Sequence, residues 1–388
     1  MRPESGYDAI VVGLGAMGSA AAYHLARRGH RVLGLDAHER GHALGSSHGR
    51  SRIIREAYYE APEYVPLVRR AYALWRELEA EAGRALLRIT GGLTVGPGES
   101  ELVAGALASA RRHDLPYERL TAADVNARFP GFRLTEDLVA VFEPNAGILA
   151  PEACVGAHLD LAARHGAVLR HGEGVRGWAA DGGGVRVETE AASYAAERLV
   201  ITAGPWASEV LGDLRLPLAV QRVVNVHFEP IDPEPFGADR CPVYLWLVPE
   251  GQYYGFPALP GQGVKFGRHD AGEVCTPRTI RRQVDPAEVE ALRAVLNRYM
   301  PGAGGAVKWT LTCMYTNTPD RHFVIDRHPG QANVAIGCGF SGHGFKFASA
   351  VGEVLADLAA GREPRHSIAF LSSGRFGEEG AVVGRADA

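Results

Sequence analysis

The sequence predicts an α/β fold, α+β overall, in which a domain built on a parallel sheet is interleaved with a second domain built on an antiparallel sheet. Three observations carry this expectation. The chain opens on a strand, a glycine turn, a helix and a second strand. Residues 216–269 hold successive strand-like runs separated by turn signals, with no helix between them. The C-terminal part then returns to a buried strand, another glycine-rich turn and an apolar helix.

Ala9, Ile10, Val11 and Val12 are the β-branched, apolar run of a parallel strand buried on both faces. Gly13-Leu14-Gly15-Ala16-Met17-Gly18 follows with the spacing G-x-G-x-x-G. Gly13 permits the tight turn, Gly15 lets a pyrophosphate approach the backbone, and Gly18 lets the helix pack on the strand. Met17 opens that helix, expected over residues 17–28 and stopped by Gly29. A strand over residues 31–35 ends in Asp36, whose carboxylate accepts hydrogen bonds from an adenosine ribose and repels a 2′-phosphate. This Rossmann-like pattern argues against NADP. It leaves FAD and NAD open, because both carry the same adenosine half, and a purely structural glycine turn is its plain alternative.

A chain of 388 residues is long enough for two domains with substantial cores. Its net charge of -4 and lack of a basic run exclude nucleic acid as the main partner. The first strand begins within ten residues of Met1, which leaves no room for a secretory signal, and no later run is apolar enough to cross a bilayer. A cytoplasmic protein without membrane contact is therefore expected. Cys154, Cys241, Cys275, Cys313 and Cys338 are odd in number and scattered, which gives neither a disulfide framework nor a zinc site. The 15 histidines form no ligand motif, so no metal is expected.

Residues 41–55 read as a loop rich in glycine and histidine at the C-terminal end of a parallel strand, where open α/β sheets bind ligands. Apolar Ile53 and Ile54 would hold Arg52 and Arg55 near the core, where an arginine needs an anionic partner; a substrate carboxylate is one candidate and a solvated loop the bland reading. Helices are expected over residues 63–81, 100–113, 122–128, 151–164 and 285–298 from their apolar spacing, and strands over 90–95, 138–142 and 167–169. Asp181-Gly182-Gly183-Gly184 marks a hairpin between strands 175–180 and 185–189, and the buried strand after Arg198 should return to the first sheet.

Strands over residues 216–228, 243–248, 252–256 and 264–269 make an antiparallel meander and a separate sheet. Side chains alternate faces along a strand, so Lys265, Gly267 and His269 share one side, a cation and an imidazole flanking a gap. Solvated side chains remain the competing account of that pair. A strand over residues 306–315 carries Cys313, and the strand 333–337 leads into Cys338-Gly339-Phe340-Ser341-Gly342-His343-Gly344-Phe345-Lys346 and a helix over 347–358. A second glycine turn before a helix offers backbone N–H groups to negative charge, which a reduced flavin carries near N1 and a nicotinamide ring does not. FAD is preferred over NAD on this ground. The tail after Phe376, rich in Gly and Glu, is expected to be loose.

Together these residues resemble the flavin-dependent amine oxidases that include monomeric sarcosine oxidase and N-methyltryptophan oxidase, over residues 7–376. The resemblance is carried by the glycine motif with Asp36, Ser47-His48-Gly49-Arg50-Ser51-Arg52-Ile53-Ile54-Arg55, Tyr253-Tyr254-Gly255-Phe256, Cys313-Met314-Tyr315-Thr316, His322-Phe323-Val324-Ile325-Asp326, and the run from Gly339 through Gly342 and Gly344 to Lys346. It implies a Rossmann-like FAD-binding domain from residues 1–88, 145–218 and 318–388, with a substrate and catalytic domain from 89–144 and 219–317. It further implies FAD bonded covalently, 8α-S-cysteinyl through Cys313, with His48 and Arg52 against the flavin ring. Arg55 and Lys346 would hold a substrate carboxylate, Tyr254, His269 and Tyr315 would line the amine site, and Lys265 would stabilise developing superoxide on the opposite flavin face.

The activity implied is oxidation of an N-methyl or other secondary α-amino acid to an imine, which water hydrolyses while O2 becomes hydrogen peroxide, by an enzyme acting as a monomer. Oxidation of bulkier, cyclic or glycine-type amino acids in a biosynthetic pathway is the alternative; a non-catalytic flavoprotein and an NAD-dependent dehydrogenase stand further off. Three positions depart from the family pattern: Ser47 and Arg50 stand where relatives carry His and Asp, and Arg321 where they carry an acid. The segment Val243-Tyr244-Leu245-Trp246-Leu247 departs as well. An arginine near the flavin loop can tune its potential or accept a second substrate acid, and a surface substitution explains Arg50 and Arg321 equally well.

Overall fold

Five parallel strands form the centre of the first sheet in this computed structural model, which describes residues 4–377. In spatial order they are Gln331–Cys338, Ser193–Ile201, Glu4–Val12, Val32–Leu35 and Val168–Arg170. Ser193–Ile201 does return to the first strand, as its apolar end requires, and its first half also carries the hairpin Val175–Asp181 and Gly184–Thr189. Helices Ala16–Arg27, Pro151–Arg164 and Ala348–Ala359 cover one face. Ala16–Arg27 and Ala348–Ala359 approach so closely that a Cβ on Gly352 would lie 2.4 Å from that of Ala20. The loose tail expected after Phe376 lies, from residue 378 onward, outside the described residues.

The second sheet runs in the order Val274–Cys275, Ala219–Glu229, Gly263–Arg268, Gly251–Leu259, Val243–Val248, Gly92–Gly96, Val139–Glu143 and Glu118–Thr121, with Ala306–Asn317 along Ala219–Glu229. Every pairing in it is antiparallel except Val243–Val248 with Gly92–Gly96. Segments far apart in sequence therefore share one sheet, whose own core includes Trp246, Phe228, Phe266 and Leu296.

Several elements differ from expectation. The loop 41–55 ends in a strand, Arg52–Ile54, which pairs with Gly147–Leu149, itself paired with Leu87–Ile89. Three-residue strands are too short to display a period of two, so alternation does not reveal them. Val324–His328 pairs with Gln331–Cys338, and Glu118–Thr121 is an exposed edge without an apolar face. Pro62 begins a short 3₁₀ turn before the helix Val65–Ala82, two residues later than the apolar spacing suggests.

Candidate active site

The glycine turn sits where the first strand meets the helix Ala16–Arg27, and close packing dictates its residues. A Cβ on Gly13, whose φ is 83°, would lie 2.5 Å from the Thr202 carbonyl oxygen, and one on Gly18 would lie 1.8 Å from that of Gly13. No side chain on Gly15 caps the helix; Ser47 Oγ accepts the Ala16 N–H at 3.0 Å instead. Asp36 ends the second strand, its carboxylate accepting the N–H groups of Leu14 at 2.8 Å and His38 at 2.9 Å. Each oxygen keeps a further lone pair for a ribose hydroxyl.

A cavity of about 1350 Å³ begins beside Asp36, passes Gly13, Gly15 and Met17, and reaches Arg52, Cys313, Tyr315, Gly342 and Gly344. This exceeds the 300–1,000 Å³ typical of small-molecule sites and has the elongated lining a dinucleotide needs. A second pocket of about 70 Å³ adjoins its inner end, since Arg52, Cys313, Tyr315, Gly342 and Phe345 line both. Arg55, Glu60, Tyr254, His269 and Lys346 complete the smaller one. Gly18, His48 and Lys265 lie behind these walls, and Lys346 belongs to the smaller pocket alone.

The smaller pocket is lined by buried charged groups. Arg55 is buried, its guanidinium stacked 4.3 Å over Tyr58 and 4.9 Å over Tyr59. Its anionic partner in this structure is Glu60, whose oxygens accept Nη2 at 2.8 and 2.6 Å, rather than the substrate carboxylate considered from sequence alone. Burial works to raise Glu60, yet Arg55, His343 and Lys346 outweigh it and hold the carboxyl at about 2. Lys346 Nζ donates to the His343 carbonyl at 2.6 Å and approaches Tyr58 Oη at 3.4 Å. Burial, with Arg55 beside it, pushes this lysine down to about 7 against the pull of Glu60.

Opposite stand Tyr254, whose hydroxyl donates to Asn225 Oδ1 at 2.7 Å, and His269, whose Nδ1 is 3.4 Å from Tyr315 Oη. Burial lowers His269 to about 4, with Arg321 and Lys346 adding to it, so the imidazole is neutral at physiological pH. The gap expected at Gly267 is filled: a Cβ there would lie 2.9 Å from Tyr254 Oη and 3.0 Å from Asn225 Oδ1, so the glycine makes room for these two side chains. Lys265 is fully buried on the same strand, donating to the carbonyls of Gly49 at 2.8 Å and Ser51 at 3.0 Å.

Cys313 stands at the junction of the two cavities. Arg52 Nη2 lies 3.7 Å from its Sγ, and the same guanidinium is fixed by the carbonyls of Ser46, His48 and Ser51. Burial alone would raise this thiol, but the His48 imidazole beside it, Arg52 and Lys265 bring it down to about 7. Half of it is therefore thiolate near neutrality. The other four cysteines are free thiols as well.

Glu60, Tyr58, Tyr59 and Asn225 were not singled out by sequence reasoning. Glu60 carried a usable signal, an acid five residues after an arginine expected to be buried. Asn225 carried none. Of the departures, Ser47 caps the glycine turn, whereas Arg50 is exposed and stacked 4.5 Å over Trp309. Arg321 is exposed, with its carbonyl accepting His343 Nε2 at 2.9 Å. Of Val243–Val248, Leu245 faces the pocket while Tyr244 and Trp246 stack in the core. Among the described residues no group could hold a metal ion, and no helix is long and apolar enough to cross a membrane.

A Rossmann-type sheet whose glycine turn and strand-end Asp36 open on a long cavity, ending at a charged pocket, defines a dinucleotide-dependent oxidoreductase. The family model for FAD dependent oxidoreductases matches residues 8–358, and the chain belongs to that family, in the branch of the monomeric sarcosine and N-methyltryptophan oxidases. It is 46% identical to monomeric sarcosine oxidase of Streptomyces avermitilis, over 95% of this chain and 98% of that one. It is 35% identical to N-methyl-L-tryptophan oxidase of Salmonella newport, over 96% of this chain and 100% of that one. Among solved structures it is similar to NikD, an unusual amino acid oxidase essential for nikkomycin biosynthesis, with a TM-score of 0.83, 28% identity and coverage of 95% and 97%. The cofactor is FAD, and the lining fits a dinucleotide: one cavity runs from Asp36 past Gly13 and Gly15 to Gly342.

Proposed function

We propose that this protein oxidises small secondary α-amino acids, with N-methylglycine as the reference substrate, and passes the electrons to O2 to give hydrogen peroxide. The observation that carries this reading is the approach of two buried cations, Arg55 and Lys346, to one compact pocket that opens at Cys313 beside Tyr254 and His269. A carboxylate is the anion such a pair recognises. The relatives named for sarcosine and N-methyl-L-tryptophan support the same choice.

FAD supplies the acceptor for the two electrons and the hydrogen that leave the amine carbon. The protein's part is binding and charge control. Arg55 and Lys346 orient the carboxylate, and burial in the pocket disfavours the charged ammonium over the free base, so the amine binds with its lone pair available. The proton given up on binding leaves to solvent, since His269 stays neutral, and His269 lines the amine site while Tyr254 Oη, anchored on Asn225, fixes one edge of the amine. The small volume limits the side chain. Arg52 and His48 stabilise Cys313 as the thiolate through which the flavin is attached, and Lys265 supports the reaction with oxygen. In this reading the sheet carrying Glu4–Val12 belongs to the FAD domain and the sheet carrying Gly263–Arg268 to the substrate domain, in a protein that works as a monomer.

The test is anaerobic titration of the purified protein with sarcosine while following the long-wavelength flavin absorbance, then admission of air. Bleaching, followed by return of colour with peroxide, is the expected result. A yellow protein that stays yellow with sarcosine and with larger N-methyl amino acids would overturn the substrate class.

A further inference from the structure

We propose that Glu143 is a positioning residue for the amino-acid pocket, its carboxylate holding segment 55–60 in the shape that aims Arg55 at the substrate carboxylate. This rests on the reading of Arg55 and Lys346 as the carboxylate site.

Glu143 ends the strand Val139–Glu143 and is only 4% exposed. Its Oε1 accepts the N–H of Glu56 at 2.5 Å and its Oε2 that of Ala57 at 2.6 Å. Two successive peptide planes are thereby fixed by one rigid carboxylate. The Ala57 carbonyl in turn accepts Arg55 Nη1 at 2.9 Å, while Nη2 of the same guanidinium pairs with Glu60. Arg55 is thus held by the backbone that follows it, and Glu143 holds that backbone. Other contacts fix the far side of the segment: Ser109 Oγ donates to the Tyr58 carbonyl at 2.5 Å, and Gln252 Nε2 to Tyr59 Oη at 2.8 Å.

A carboxylate is an expensive way to satisfy two loop amides. Glu143 forms no ion pair among the described residues, and burial pushes its carboxyl up to about 7 even though both amides and Arg55 pull it down. A serine or a water serves ordinary loop amides at less cost. Only a carboxylate or its protonated form spans both N–H groups, and a glutamine of the same size presents an NH2 to one of them. The geometry ties this cost to Arg55.

The experiment compares Glu143→Gln with wild-type holoenzyme. It measures the calorimetric Kd of methoxyacetate, a carboxylate without an oxidisable amine, and KM and kcat for sarcosine. The expected result is a rise of about tenfold in Kd and KM with kcat changed by less than about threefold, the pattern of lost ground-state positioning. Lys346→Met is measured beside it. If Lys346→Met weakens methoxyacetate and Glu143→Gln does not, this inference is overturned and the carboxylate site stands; if neither weakens it, the site reading itself falls. Should Glu143→Gln fail to fold, amide hydrogen exchange in the wild type decides. Protection at Glu56 and Ala57 that deepens with methoxyacetate supports the clamp, and exchange at open-loop rates overturns it.

Discussion

Arg55 and Glu60 form a buried ion pair, 2.6 Å between Nη2 and Oε2, with side chains 5% and 10% exposed. An arriving carboxylate therefore meets a guanidinium that is already half neutralised. Lys346, by contrast, makes no ion pair among the described residues; its ammonium rests on a carbonyl, a phenol and the Tyr58 ring. The pocket thus carries one compensated and one uncompensated cation, and these respond differently to mutation and to pH.

Glu60→Gln leaves Arg55 buried without its counterion. Removing one partner of such a pair costs about 3–5 kcal/mol, so the Tm without ligand is expected to fall. Methoxyacetate should then bind more tightly than to wild type, because it restores the missing negative charge. Melting curves with and without the ligand check both halves. A variant with unchanged Tm, or with weaker methoxyacetate binding, would show that Glu60 does not compete with the ligand for Arg55.

Lys346 titrates near 7, so the sign of its pH effect follows directly. Below that value the ammonium adds to carboxylate affinity, and as pH rises through 7 the free pocket loses the charge and affinity falls. Folding stability runs the other way. The native lysine releases its proton at about 7 and the unfolded one near the ordinary 10.5, so this group's penalty on stability, present above the unfolded value in neither state, grows as pH falls from 10.5 toward 7. The Kd of methoxyacetate measured from pH 6 to about 9 should rise with pH. In Lys346→Met that rise should vanish; a rise that persists would place the titration on another group.

Much of this was legible from particular residues. The turn at Gly13 and Gly18 announces itself because a Cβ at either would collide with backbone, and Asp36 because its carboxylate accepts the Leu14 N–H of that turn. Strand alternation marked Gly267 as a position without a side chain between Lys265 and His269, but not that Tyr254 and Asn225 from other strands fill the space. Glu143 and Asn225 were not legible, since their roles arise where strands distant in sequence meet, Val139–Glu143 against the segment at 56–57 and Ala219–Glu229 against Tyr254. Arg55 was read correctly as a buried cation in need of an anion, but the anion present is Glu60, a local partner that apolar periodicity does not register.

Cys313 is expected to behave as a thiolate well before an ordinary cysteine would. In apoprotein its alkylation by iodoacetamide should show a midpoint near pH 7, set by His48, Arg52 and Lys265 against burial. Arg52→Ala should move that midpoint upward. With the flavin held through Cys313 as proposed, wild-type protein should keep it in the precipitate on acid denaturation and Cys313→Ser should release it. Flavin retained by the serine variant would move the attachment to another residue.

Lys265 provides the test that separates the two halves of the reaction. Its ammonium is fully buried, held by the carbonyls of Gly49 and Ser51 and 4.9 Å above the Phe256 ring, with no ion pair to a carboxylate among the described residues. Burial, with Arg52 adding to it, pushes its pKa well below the usual lysine value, while two carbonyl acceptors and an aromatic face favour the charged form. A buried ammonium stabilises an anion that forms beside it, and reduction of oxygen to superoxide makes such an anion. Lys265→Met preserves length and removes the charge. Bleaching by sarcosine under anaerobic conditions should proceed within about threefold of wild type, while the return of colour in air slows by about 100-fold. The two carbonyls left behind lose their donor at a cost of about 1–3 kcal/mol, so the Tm falls as well, and the rates must be read below it. Stopped-flow absorbance resolves the two phases. If both slow together, the lysine supports the fold of the site rather than the oxygen reaction, and the positive charge that serves oxygen must be sought at Arg52.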